Sequence, residues 1–304
     1  MRIVLIATIL SFLGISVAER VHAQVSFSDR FAEGTSAAVI AHRSAIMGDF
    51  PENTLGWIGY AIERGVDVIH INPQLTADDN YILMHDNTLN RMTNVERVYP
   101  NGPPSGPTRE QRGGRDYVRD YTLEEIKRLQ IMGPEDGPAS EVSSLDEAIE
   151  FIDGRILVLL GLKSYEVESL ARALGRHDTR NLMFFELYYS GTDQTKLRNL
   201  ADMSGVGVSI SPYASSDYLT DLEGIYSQLG PTLKSYWVDK SGLSSELIDR
   251  MNQLGLFVIY SGWDGPEDYA ITEKGDPLPW RIILDQGLAA ATDQPDLVLE
   301  ILGR

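Results

Sequence analysis

The chain has 304 residues, of which 43% are hydrophobic, a formal net charge of -18 and no cysteine. Such an acidic balance argues against nucleic acid or an anionic membrane surface as partner, and the lack of thiols excludes disulfides, thiolate metal sites and a cysteine nucleophile. The length and apolar content are enough to bury the core of one barrel-sized domain.

Residues 1–23 begin with basic Arg2, continue as an apolar run over 3–18 and end in Val21, His22 and Ala23. That order predicts a signal peptide over 1–23, cleaved before Gln24, and a periplasmic or secreted mature domain over 24–304. Gly14 and Ser16 weaken the run, which is short for a bilayer span, and no other segment is apolar enough to cross, so no stable membrane anchor is expected.

Residues 39–94 hold three of the five histidines. The apolar run 38–41 ends in His42 and Arg43, the pattern of a buried parallel strand that delivers polar side chains at its C-terminal end. Pro51, Glu52, Asn53 and Thr54 then open a helix; Leu55, Ile58, Ala61 and Ile62 follow its period, and Gly65 stops it. A second strand covers 66–71. Only nine residues, 73–81, separate Asn72 from the next apolar run at 82–84, too few for a parallel crossover. The return is therefore an antiparallel hairpin with its turn at Asp78 and Asp79, pairing Asn72 roughly with His85. This places His42, Arg43, His70, Asn72, His85 and Asp86 around one strand-end mouth.

Residues 95–120 contain Asn-Gly-Pro-Pro-Ser-Gly-Pro and Arg-Gly-Gly-Arg, so an irregular insertion is expected, leaving the mouth directly after Asp86 within 87–120. Its place suits a lid or specificity loop. Further on, apolar strands at 156–160, 182–187, 206–211, 234–238, 256–261 and 288–291 alternate with helical patterns. With 38–41 and 66–72 they make eight, which predicts an α/β fold: a (β/α)8 TIM barrel with a hairpin excursion after the second strand and catalytic groups at the C-terminal strand ends. A doubly wound nucleotide-binding fold lacks support, because Gly205 and Gly207 have no third glycine at the fingerprint spacing and run into a strand. Lys163, Glu186, Asp239, Tyr188, Tyr213, Trp237, Tyr260 and Trp263 fall near later strand ends. Trp237 and Trp263 are taken as substrate contacts, and His177 reads as a surface residue closing a helix.

The order His42-Arg43, Pro51 to Thr54, Leu75-Thr76 with Asp78, and His85-Asp86 with Thr88, Leu89, Arg91, Thr93 and Asn94 resembles the glycerophosphodiester phosphodiesterase family of TIM barrels. Tyr121 to Lys127, Ser144 to Glu147, the strand at 156–163 and Thr292, Asp293, Pro295 and Asp296 continue the resemblance. It implies His42 and His85 as acid and base, with Arg43 and Lys163 retained beside them. It also implies a divalent cation, held by the carboxylates of an E-x-D motif on the second strand and of a later E-x-K motif. Here those three positions are His70, Asn72 and Gly161, so the cation is expected to be lost and no cofactor is expected.

The expectation is thus an exported, metal-independent phosphodiesterase-like hydrolase acting on a small anionic substrate, with His42 and His85 as general acid and base. Arg43, Lys163, His70, Asn72, Trp237 and Trp263 would bind substrate; His70 would either stand in, protonated, for the cation or fill the space it left. Two alternatives use the same residues. One is a lyase or glycoside-cleaving enzyme of the same fold acting on a non-phosphate substrate. The other is a non-catalytic periplasmic binding protein.

Overall fold

The computed structural model describes residues 25–32, 36–45, 47–133, 139–188, 193–212 and 215–304; the expected leader, 1–23, and Tyr213 lie outside them. In chain order α1 (Phe27–Arg30) precedes β1 (Val39–Ala41), and α2 (Leu55–Arg64) leads to β2 (Val68–Ile71). The excursion follows: β3 (Pro73–Leu75), β4 (Tyr81–Leu83), α3 (Val95–Val98), α4 (Leu123–Ile126), β5 (Gln130–Ile131), β6 (Ser140–Glu141) and α5 (Leu145–Ile152). Strands and helices then alternate through β7 (Leu157–Gly161), α6 (Val167–Leu174), β8 (Leu182–Tyr188), α7 (Gln194–Ser204), β9 (Gly207–Pro212), α8 (Tyr218–Leu229), β10 (Leu233–Val238), α9 (Ser245–Gln253) and β11 (Phe257–Ser261). Helices α10 (Pro266–Lys274) and α11 (Leu278–Leu284), strand β12 (Ala289–Thr292) and helix α12 (Pro295–Ile301) end the chain.

Eight parallel strands close in the order β1-β12-β11-β10-β9-β8-β7-β2, the (β/α)8 barrel that the sequence predicts. Alternate strand residues divide into two clusters. Ile40, Val68, Leu157, Leu159, Met183, Phe185, Trp237, Ile259, Ala289 and Ala291 fill the barrel, while Val39, Ile69, Val158, Phe184, Ile210 and Tyr236 pack under the helices. The same period of two turns His70 and Gly161 inward at the C-terminal end. Helix α2 forms as its sequence requires: the Thr54 hydroxyl accepts from Trp57 N, Gly65 closes it at φ 75°, and Trp57, Ile58 and Ala61 are buried.

Two expectations are corrected. In the hairpin, Pro73 faces Leu83 and Met84 N donates to Asn72 O, so Asn72 pairs with Met84, one residue short of His85. Asp79 in the left-handed region and the Thr76–Asn80 bond make the turn, which sets that register. The insertion is not an irregular loop throughout. Val95, Tyr99, Val118 and Tyr121 form a satellite core with Ile82, Met84, Leu89, Ile126, Leu129, Ile131 and Val142. Beneath it the buried Asp116 carboxylate accepts from Tyr121 Oη at 2.6 Å, Arg109 Nε at 2.7 Å and Asn90 Nδ2 at 2.9 Å.

Candidate active site

His42 emerges from β1 with its Nδ1 2.9 Å from Asp293 Oδ1, and Ser44 Oγ lies 2.9 Å from both. A carboxylate at Nδ1 fixes the ring and leaves Nε2 for the mouth. Trp263 stacks on the other face, centroids 4.7 Å apart at 23°. Asp293 is placed in turn by buried Asp268 of α10, whose Oδ2 accepts from Asp293 N at 2.8 Å and whose Oδ1 accepts from Thr292 Oγ1 at 2.5 Å and Trp280 Nε1 at 3.0 Å. Burial pushes Asp268 up to about 6 even against these donors.

His85, two residues past β4, carries the same device, with Nδ1 2.9 Å from Asp86 Oδ1. Arg91 Nε donates to Asp86 at 2.6 Å and, as the main cause, holds that carboxyl down at about 2. Arg91 Nη2 reaches Glu52 at 2.6 Å, and Glu52 accepts from Arg43 Nη1 at 2.9 Å, so a chain of alternating charge runs from Asp86 to Arg43. Burial holds His85 below the ordinary imidazole value; Arg43 and Lys163 add to that, and Asp86 opposes it. Lys163, two residues past β7, makes no hydrogen bond or ion pair among the described residues. Burial of its ammonium, then Arg43, keeps it below the usual lysine value.

His70 lies among these groups, its ring centroid 5.4 Å from that of His42. Asn72 Nδ2 is 3.1 Å from Gly161 O and 3.2 Å from His70 Nε2. A carbonyl only accepts, which fixes the amide nitrogen on that side; the nitrogen only donates, so His70 Nε2 holds the lone pair and Nδ1 the proton. Burial, reinforced by His42, Lys163, Arg43 and His85, holds His70 well below its ordinary value. Of the two roles expected for His70, the Asn72 contact at Nε2 and the packing over Gly161 favour a ring that fills the space rather than a protonated stand-in for the cation. A Cβ at residue 161 would lie 2.1 Å from His70 Nε2 and 2.3 Å from Asn72 Nδ2, so the ring and amide fill the space a side chain there would enter.

These residues do not fit a hard divalent cation, which takes oxygen ligands with carboxylates among them. Position 70 offers an imidazole whose lone pair already takes the Asn72 amide, position 72 an amide, and position 161 no side chain. Among the described residues no group of three or more His, Asp or Glu is disposed to hold a metal.

The structure brings together His42, Arg43, His70, Asn72, His85 and Lys163, with Trp263 against His42. Two expected substrate contacts are buried and have other roles. Trp237 is 1% exposed and donates to Ser209 Oγ at 2.6 Å, because it lies inside β10 rather than past its end and packs in the layer below Trp263. Asn72 is fully buried and supports His70. Glu186 belongs to the outward set of β8 and is pushed by burial to about 7; Asp239 is tied to Ser241, and Tyr188 and Tyr260 pack outside the barrel. His177 closes on Asp146 at 2.7 Å. Ser44, Arg91 and Asp293 are site residues the sequence did not single out. The last two lie inside motif strings, and nothing in a string tells which imidazole a carboxylate will meet.

A cleft of about 570 Å³ opens beside His85 and Lys163, walled on its far side by Tyr117, Val118 and Arg119 of the insertion. A cavity of about 590 Å³ at the other end of the barrel, by Phe31, Phe257 and Ala289, has neither a histidine nor a carboxylate among its described lining residues.

The family model described as "Glycerophosphoryl diester phosphodiesterase family" matches residues 42–204. A glycerophosphodiester phosphodiesterase of Caldanaerobacter subterraneus is 35% identical over 129 residues, 41% of this chain and 45% of that protein, and human glycerophosphodiester phosphodiesterase 1 is 27% identical over 42% of this chain and 34% of its own length. The chain thus spans less than half the length of these curated relatives. Among solved structures, a glycerophosphoryl diester phosphodiesterase from Parabacteroides distasonis superposes with a TM-score of 0.68 at 20% identity, covering 92% of this chain and 93% of the other. A phosphodiesterase of Oleispira antarctica, solved with the product sn-glycerol-3-phosphate, gives 0.62 at 20% identity over 88% and 98%. At that identity the two structures speak for the fold.

Proposed function

Because the chain belongs to the glycerophosphoryl diester phosphodiesterase family, we propose that it hydrolyses small anionic phosphodiesters with His85 as general base and His42 as general acid, and without a metal ion. The observation that carries this reading is the matched pair of imidazoles, each with Nδ1 2.9 Å from a carboxylate, beside Lys163, a cation that makes no ion pair among the described residues. An unpaired ammonium beside an acid–base pair suits an anion whose charge grows in the transition state. Neutral His70 and Asn72 keep negative charge away from that anion, as carboxylates without a cation would not. That the Oleispira relative was solved with sn-glycerol-3-phosphate supports a phosphate ester as ligand.

His85, kept neutral by burial and by Arg43 and Lys163, accepts the proton of a water whose oxygen attacks phosphorus. The bond from phosphorus to the leaving oxygen breaks, its electron pair goes to that oxygen, and His42 Nε2 supplies the proton. A phosphomonoester and an alcohol result, and Asp293 steadies the His42 ring while it carries the proton. Lys163 and the free edge of Arg43 hold the non-bridging oxygens.

The test is turnover of bis(p-nitrophenyl) phosphate and of glycerophosphodiesters by the purified protein. His42→Ala and His85→Ala should each lower it by roughly 10² or more, with a far less than additive double variant. Turnover of an acidic glycoside and of no diester would favour the other chemistry, and wild-type turnover in either variant would remove that histidine from the mechanism.

A further inference from the structure

Lys163 has no carboxylate partner among the described residues, and the cleft it lines is shared with His85 and with Tyr117, Val118 and Arg119 of the insertion. Resting on the phosphodiesterase reading, we propose that this cleft receives the alcohol moiety of the diester and that Arg119 selects a polyol bearing a second anionic substituent. Four features support this.

The wall is built in advance. Val118 N donates to Asn87 O at 3.0 Å, Leu89 N donates to Asp116 O at 2.8 Å, and Thr88 and Tyr117 form an antiparallel bridge, so 116–118 lies strand-like along the segment just after His85 and Asp86. Buried Val118 anchors it in the satellite core. The volume, about 570 Å³, falls within the range of pockets for sugar-sized and larger ligands, well beyond a three-carbon alcohol. The neutral lining is rich in hydrogen-bonding groups, Asn87, Thr88 and Ser164 among them, which suits hydroxyls.

The charge is one-sided as well. Two cations line the cleft, Lys163 and Arg119. The carboxylate of the lining, Asp86, is already committed to His85 and Arg91. Arg119 has only a contact of 3.4 Å to Glu166, with both side chains more than half exposed, a pairing weak enough for a ligand to displace. Tyr117 is the one Phe, Tyr or Trp among the described lining residues, so a quaternary ammonium would find no cage here.

The experiment compares kcat/KM for glycerophosphoinositol and its 4-phosphate, at low ionic strength, after hydrolysis of bis(p-nitrophenyl) phosphate has established the phosphodiesterase reading. The wild-type protein should prefer the phosphorylated polyol by roughly two- to fivefold, a span set by one partly exposed charge pair. Arg119→Ala should bring the ratio near one, mainly through KM, and Arg119→Lys should restore most of it. Equal rates in the wild type, or a preference that persists in Arg119→Ala, overturns the assignment of Arg119 while leaving the phosphodiesterase reading in place. Failure to cleave every diester overturns both.

Discussion

His85 and Lys163 are coupled through space, and the coupling has a sign. The ammonium of Lys163, like the guanidinium of Arg43, disfavours a second positive charge on the ring, and burial acts in the same direction. A base must be neutral to act, so the acid limb of kcat/KM, which reports the free enzyme, should lie below 6.5, the ordinary imidazole value. Lys163→Met removes one of the charges that depress His85, so the limb should move to higher pH, while activity drops by roughly 10² for the lost anion contact. Asp86→Asn removes the partner that favours the imidazolium, so its limb should move to lower pH. A limb that stays in place in both variants would show that His85 is not the base. At this scale His42, Arg43, His85 and Lys163 were legible, because each follows an apolar strand or hairpin arm by one or two residues. The downward shift of His70 was not, since it depends on burial and on four neighbours that follow three different strands. Nor was the burial of Trp237, where one position along the strand separates a floor residue from a rim residue.

Strand positions were read from continuous apolar runs, and all eight barrel strands fall where those runs lie. The hairpin register slipped by one because it depends on the turn at Asp79, whose left-handed backbone no apolar pattern encodes. The satellite core escaped for a related reason. Val95, Tyr99, Val118 and Tyr121 are spread along a stretch of glycine and proline with no helical or strand period, and they meet only when the insertion folds back on the hairpin. Asp116 is the polar centre of that fold. Asp116→Ala would strand Arg109 and leave the buried Tyr121 hydroxyl without an acceptor, at a cost of about 2–4 kcal/mol. Hydrogen exchange should then show 89–118 opening far faster than in the wild type while the barrel strands keep their protection. Equal protection of the insertion in the two proteins would mean that the satellite core holds without its carboxylate.

On the scale of the whole molecule, the barrel sets its chemistry by what it places at one end. At the other end Asp67 ties the chain together, accepting from Arg30 Nε at 2.7 Å, Arg304 Nη1 at 2.7 Å and Val39 N at 2.8 Å. Against a formal charge of -18, the mouth gathers Arg43, Arg91, Lys163 and Arg119. Two of its carboxylates, Glu52 and Asp86, are bound to those arginines, while Lys163 makes no ion pair among the described residues. The barrel was legible because eight apolar runs repeat along the chain; the packing of positions 70, 72 and 161 against one another was not, because it depends on how β2 and β7 face each other. His70 and Leu159 are register partners there, and the His70 ring leans over Gly161, with Asn72 holding both. A cation at this point would need the ring and the amide to leave and carboxylates to arrive at three positions together. Gly161→Glu alone would drive a side chain into His70 and Asn72, an overpacking that costs about 1–3 kcal/mol. Diester hydrolysis should therefore survive dialysis against a strong chelator at its full rate, and added Ca²⁺ or Mg²⁺ should leave kcat/KM unchanged. Loss of turnover to the chelator, with recovery on one specific cation, would show that oxygen ligands come from residues other than these three and would return the catalytic role of Lys163 to the metal.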